Sequence, residues 1–279
     1  MNYQLLNTLS LEKSWSRNTL DVYKSNLKSI LNKMDVKTFD AGQNTIIEEI
    51  DKLEKSSYVK SNYVNLFIIY RNTKELPNHE LRKFRTKMGN EISVIKKEND
   101  TKTNLKMVDF PDYLTETERL AETFPTKYII RRLLIHLGCR NRDVNLLFVF
   151  DKKIDIEIRE KTIKEELNIC HVRSKDIVIT RRFYKTSTTY GILKNTIKDN
   201  KLMKIIKENY KNGDRLIPAK QSQNISRIVM NATRIGETEL FKTQVKYYKN
   251  LGNLKKIKEL SESRGTSLPT IIDNYDVDN

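Results

Sequence analysis

Residues 137–147 read LGCRNRDVNLL, and the fold turns on how this stretch is parsed. Upstream of it, Tyr128, Ile129, Ile130, Leu133, Leu134 and Leu137 recur at the spacing of an apolar helix face. Gly138 suits the stop of that helix, because the residue after a last turn often takes the left-handed conformation that glycine adopts without strain. Arg140-x-x-Asp143 follows and leads into a second apolar run. Taken alone, Arg140 reads as a solvated charge or a first-turn ion-pair partner.

Outward from this point the chain is mostly helical in pattern. A helix after Pro111 opens at Thr115-Glu116-Thr117-Glu118. Before it, Lys96 to Asn104 (KKENDTKTN) is polar, charged and free of apolar anchors, the composition of a linker. The expected organisation is a helical unit over 1–98, a basic linker over 99–112 and a second domain over 113–279. In the first unit Ser16 suits an N-cap for a helix carrying Leu20, Tyr23, Leu27, Ile30, Leu31 and Met34 at intervals of three and four. Helical patterns follow at 43–54 and 57–72, and Pro77 suits the first turn of another that runs to Lys97.

Toward the C-terminus, residues 176–198 are rich in β-branched and aromatic side chains on both sides of Lys185-Thr186-Ser187-Thr188, which predicts a hairpin. Helices are expected at 199–210, 222–232 and 238–250. A short one from Asn253 would turn Leu254, Ile257 and Leu260 inward. A loop over Ser261–Ser267 then leads to a last helix from Pro269 to Tyr275. The fold class is therefore mainly α with a small antiparallel β-hairpin or sheet (α+β).

Composition narrows the partners. The 279 residues hold 52 Lys and Arg against 36 Asp and Glu, a net charge of +16. Such a surplus suits a polyanion, because cations that neutralise phosphates release condensed counterions; an AT-rich genome's Lys and Asn bias would also produce it. No apolar run approaches the roughly 18 residues of a membrane span, and the first 20 residues lack a secretory apolar stretch, so a soluble intracellular protein is expected. Two cysteines and three scattered histidines offer no metal-ligand spacing. Neither metal nor cofactor is expected.

Four segments resemble the tyrosine recombinase (phage-type integrase) family when taken in order. LGCRNRDVNLL is similar to its first box, with Gly138, Arg140 and Asp143 in place. RRFYKTSTTYG resembles the strand-turn-strand that presents the family's lysine, here Lys185. ELFKTQVKYYKNLG (239–252) holds the place of the His-x-x-Arg box. RGTSLPTIIDNY (264–275) aligns without gaps to the closing Gly-His-Ser and Tyr pattern, at Gly265, Thr266, Ser267 and Tyr275. Trp15-Ser16-Arg17-Asn18-Thr19 is similar to the opening of the family's helical core-binding domain, so the resemblance spans nearly the whole chain.

The resemblance implies strand cleavage and rejoining on double-stranded DNA through a 3′-phosphotyrosine, with a homo-oligomer on DNA and recombination or integration of a viral or mobile genome as the role. Tyr275 would be the nucleophile, Arg140 the phosphate ligand and Lys185 the acid for the leaving 5′-oxygen. Arginine suits phosphate because its planar fork grips two oxygens and stays protonated. Arg17, Lys24, Arg181, Arg182 and Lys194 would contact DNA. Three positions depart from the pattern: Glu239 stands for the box-two His, Lys242 for the Arg and Thr266 for the later His or Trp. Lys242 and Thr266 remain site candidates, and Arg264 is a candidate to restore a guanidinium. The departures keep two alternatives open, a catalytically weakened DNA-binding protein on the same fold and a type IB topoisomerase-like enzyme. Singly, Lys185 and Lys242 suit solvated lysines, and Tyr275 suits one more contact on an apolar helix face.

Overall fold

The structure, a computed structural model, describes residues 2–13, 15, 17–104, 108–150 and 156–275. The chain divides into two compact units, Met1–Lys102 and Thr103–Asn279.

The first unit is all helical: α1 (Tyr3–Glu12), α2 (Arg17–Leu31), α3 (Gln43–Asp51), α4 (Ser57–Thr73) and α5 (His79–Asn104). Side-chain caps fix two starts, Asn2 Oδ1 accepting from the Leu5 N–H at 2.9 Å and Ser56 Oγ from the Val59 N–H at 3.5 Å. The buried stripe of α2, Leu27 and Ile30, meets Tyr63, Val64 and Phe67 of α4, with Phe39 stacked on Phe67 at 4.5 Å between ring centroids. Arg71 is buried because two carbonyls need it: it donates to Pro77 O at 2.6 Å and Ala41 O at 2.8 Å, tying down both connections beside α4. The stretch expected to be a linker is instead helical up to Asn104, as the C-terminal turns of α5. Without apolar anchors a segment can still continue a helix already nucleated upstream. The N-cap expected at Ser16 lies outside the described residues.

The second unit holds α6 (Phe110–Thr123), α7 (Pro125–Leu137), β1 (Leu146–Phe150), α8 (Ile156–Lys164), β2 (Asn168–Val172), β3 (Ile177–Arg181), α9 (Ser187–Tyr190), β4 (Leu193–Ile197), α10 (Asn200–Asn209), α11 (Ile225–Thr233), α12 (Glu237–Asn250), α13 (Leu254–Arg264) and α14 (Leu268–Tyr275). Asp109 caps α6 by accepting the Asp112 N–H at 2.9 Å, and Gly138 ends α7 in the left-handed region at φ 54°. Tyr128, Ile129, Ile130, Leu133, Leu134 and Leu137 are all buried, so α7 is the central helix of this core.

The strands form one sheet in the order β1-β2-β3-β4, with β1 parallel to β2 and the other neighbours antiparallel. The expected hairpin is β3–β4, with Thr180 opposite Lys194. It is half of a four-stranded mixed sheet. The outer side of β1 is covered by 213–216, through the Phe148 N–H to Asp214 O and the Leu216 N–H to Leu146 O. Two further departures from the expected pattern lie near the C-terminus. Helix α13 runs through Ser261–Arg264, where a loop was expected, and Leu254 is 72% exposed. Leu254 is the first residue of its helix, before the buried stripe of Ile257, Leu260, Ser261 and Arg264 begins.

Candidate functional site

Gly138 is held where it is by what fills the space beside it. A Cβ there would lie 2.7 Å from the Phe241 ring, and that ring stacks under the Arg264 guanidinium at 4.2 Å. The backbone therefore turns sharply out of α7 into a short 3-10 turn over Asn141–Val144. Arg140 stands just before that turn, and its N–H donates to Asp143 Oδ2 at 3.1 Å. Its side chain is half-buried, and Nη1 donates to the backbone oxygen of Arg264 at 3.0 Å.

Asp143 also receives Arg181 Nη1 at 2.9 Å, both side chains being almost wholly buried. Burial pushes the Asp143 carboxyl up, against the pull of Arg181 and of the Arg140 N–H. Arg181 continues to Asn195 Oδ1 at 2.9 Å and to the backbone oxygen of Ser263. Arg181 thus corrects the DNA-contact expectation, because its guanidinium is an internal tie between the sheet, the Arg140 turn and α13. Alternation explains it: Ile177, Ile179 and Arg181 share the buried face of β3.

Arg264 is 1% exposed. It donates to Gly138 O at 2.6 Å and pairs with Glu237 Oε1 at 3.1 Å, while Glu237 Oε2 accepts the Asn141 N–H at 2.6 Å. Arg264 thus does bring a guanidinium to this place, as the sequence suggested, with Nη1 and Nη2 both bonded to protein oxygens. Glu239 is likewise used locally, since its Oε2 accepts the Gly236 N–H at 2.7 Å and so caps α12. Lys242 is 5% exposed on the same helix, so it is not the solvated lysine that suited it singly.

The hairpin turn reaches the same place. Thr186 Oγ1 donates to Gly265 O at 2.6 Å, and Gly265 sits at φ 64°, where a Cβ would lie 2.8 Å from the Tyr184 ring. Lys185 beside it is exposed, as are Arg182 and Lys194. Thr266 is half-buried, its carbonyl accepting from Ser261 Oγ at 2.8 Å. Tyr275 is the last residue of α14, and its side chain lies outside the described residues, as does that of Arg17. Lys24 is half-buried on α2 in the first unit.

The residues Arg140, Asp143, Arg181, Glu237, Ser263, Arg264, Gly265 and Thr186 thus form one hydrogen-bonded cluster around the end of α13. It holds three guanidinium groups and two carboxylates. Arg181 and Arg264 each face a carboxylate, whereas the hydrogen bond of the Arg140 side chain ends on a neutral carbonyl. The unbalanced positive charge therefore resides on the one arginine of the three that is not fully buried. Glu237 is the member that sequence reasoning missed, and its signal was an acidic residue in the first turn of a helix whose N-terminus also needs a cap.

No helix among the described residues is long and apolar enough to cross a membrane, and no group of three or more His, Cys, Asp or Glu among them is placed to hold a metal ion. No family model matches the sequence, and no curated protein matches it. The solved structure of XerA recombinase is similar over 98% of this chain and 91% of that one, with a TM-score of 0.37 and 13% identity.

Proposed function

We propose that the chain cleaves and rejoins DNA strands through a covalent bond between Tyr275 and a 3′-phosphate. The observation that carries this reading is the Arg140 side chain, half-exposed and bonded to a neutral oxygen, at the point where four sequence segments meet. A guanidinium whose side-chain hydrogen bond ends on a carbonyl and not on a carboxylate is a preorganised ligand for a phosphate whose non-bridging oxygens gain charge as the phosphorus is attacked.

The chemistry balances without a cofactor. The Tyr275 Oη–P bond forms as the P–O5′ bond breaks; the tyrosine proton passes to solvent or a base, and Lys185 gives one to the departing 5′-oxygen. The phosphodiester energy stays in the tyrosyl ester, so a 5′-hydroxyl reverses the step and regenerates the tyrosine. Exposed Arg182, Lys185 and Lys194 on one hairpin supply phosphate contacts beside the reacting centre. Arg17 and Lys24 on α2 would add contacts from the first unit, and assembly of several copies on two duplexes would complete an exchange.

A nicked suicide duplex, which loses the short 5′ fragment on cleavage, tests the reading. A protein–DNA adduct that vanishes in Tyr275→Phe supports it, and the absence of any adduct on DNA that is bound sinks it. For Lys185→Ala, a 5′-bridging sulfur in place of oxygen should restore the rate, because a thiolate leaves without a proton.

A second reading has its own observation. Lys242 is buried and Glu239 is committed to a helix cap, so box two offers no exposed cation. A DNA-binding protein without strand cleavage would tolerate that arrangement, and it predicts tight binding with no adduct. Relaxation of supercoiled plasmid by a monomer would instead favour a topoisomerase.

A further inference from the structure

We infer that Glu237 and Arg264 are positioning residues that hold Arg140 for its phosphate, an inference that rests on Arg140 being the phosphate ligand. The two side chains close a circuit around that arginine. Arg264 Nη1 takes the carbonyl of Gly138, two residues before Arg140, at 2.6 Å. Glu237 Oε2 takes the N–H of Asn141, one residue after it, at 2.6 Å, and Glu237 Oε1 takes Arg264 Nη2 at 3.1 Å. The backbone oxygen of Arg264 then accepts Arg140 Nη1 at 3.0 Å.

Both flanks of Arg140 and its guanidinium are therefore set by one ion pair of a buried arginine and a partly buried glutamate, itself fixed by the Phe241 ring under Arg264 at 4.2 Å. The pair is neutral as a unit, so it aims Arg140 without competing for its charge. Glu237 is also disfavoured as a proton acceptor for a tyrosine, since both its oxygens are already engaged. A misplacement of about 1 Å at a reacting centre costs on the order of a hundredfold in rate, which is the size of effect at stake.

The test uses the full chain carrying Glu237→Gln or Arg264→Lys, each also combined with Arg140→Ala. Melting curves establish that each variant is folded at the assay temperature. Single-turnover cleavage of the nicked duplex and DNA affinity are then measured separately. Glu237→Gln is expected to slow cleavage roughly a hundredfold with affinity unchanged. Added to Arg140→Ala it should cost nothing more, because groups acting through one residue are non-additive. Arg264→Lys, which keeps the charge but loses the fork, should fall between.

A further readout needs no activity: resolved, slowly exchanging guanidinium signals of Arg140 in ¹⁵N spectra, assigned by their loss in Arg140→Ala, should collapse to averaged ones in Glu237→Gln. Cleavage at the wild-type rate in folded Glu237→Gln, an equal further loss in the Arg140→Ala background, or unchanged guanidinium signals would each overturn the positioning role. Failure of the wild-type chain to form any adduct overturns the reading of Arg140 itself, and with it this role, whatever the spectra show.

Discussion

Arg140→Ala removes the guanidinium that ends on a neutral oxygen and leaves the two ion pairs beside it intact. Adduct formation is expected to fall by at least about a hundredfold, the size of losing one donor to a developing oxyanion. Affinity at fixed salt should change little, since one phosphate is a small part of the total contact. Quantifying both on the same duplex checks this. Arg181→Met has the opposite profile, because Asp143 is left buried without its partner; a loss of about 3–5 kcal/mol in chemical denaturation is expected. At this scale the sequence was partly legible. Arg140 and Asp143 were legible only through the resemblance of four ordered segments to a family pattern, since Arg140 alone suits a solvated charge. The fate of Arg181 was open to the same alternation that paired Ile177 with Ile179, had strand facing been applied to a charged residue. Arg264 and Glu237 were harder, since the backbone groups they bond, at Gly138 and Asn141, lie more than 90 residues away in the chain.

Elements meet at a few fixed points, and two of these invite perturbation. Gly265 joins α13 to α14 at φ 64° against Tyr184 and Thr186. Gly265→Ala adds a Cβ in a conformation that side chains resist and with no room for it, so a destabilisation of about 1–3 kcal/mol is expected from melting curves. The Lys185 turn should shift with it, slowing cleavage more than binding. The other point ties α7 to α10, where Asp199 Oδ2 meets His136 Nε2 at 2.9 Å and Arg132, and Oδ1 caps α10 through the Leu202 N–H at 2.9 Å. Burial alone would raise the Asp199 carboxyl, but hydrogen bonds from His136, the Leu202 N–H and Arg132 outweigh it and hold the group well below the usual carboxylate range. A depressed carboxyl contributes stability above its unfolded value of about 4 and loses it as pH falls toward the folded value. The stability gap between wild type and Asp199→Asn should accordingly be open at pH 5 and narrow steadily below about pH 4, which denaturation midpoints across acid pH will show. Long periodic elements such as α7 and α12 were legible. The strand β1 (LLFVF) was not, because a continuous apolar run suits a buried strand and a buried helix segment equally. Its parallel partner β2 could not then be placed either.

For the whole molecule the charge of +16 makes one quantitative demand. If DNA is the partner, raising salt from 50 to 200 mM should weaken binding by about 10³-fold for roughly six neutralised phosphates, with little dependence on sequence. A flat salt response would remove DNA from consideration. The mixed sheet has a consequence of a different kind. One border, β1, is closed by residues 213–216, and β4 is the last strand at the other border, carrying exposed Lys194 and Thr196 with exposed Lys198 just beyond its end. A bare strand border is a template on which a second chain can crystallise its own backbone, and a row of ammonium groups is a common deterrent. Lys194, proposed to meet phosphate, therefore also helps with Lys198 to keep neighbouring copies apart before any nucleic acid arrives. Blocking them by acetylation is expected to cost solubility before it costs stability, seen as rising light scatter at an unchanged melting temperature.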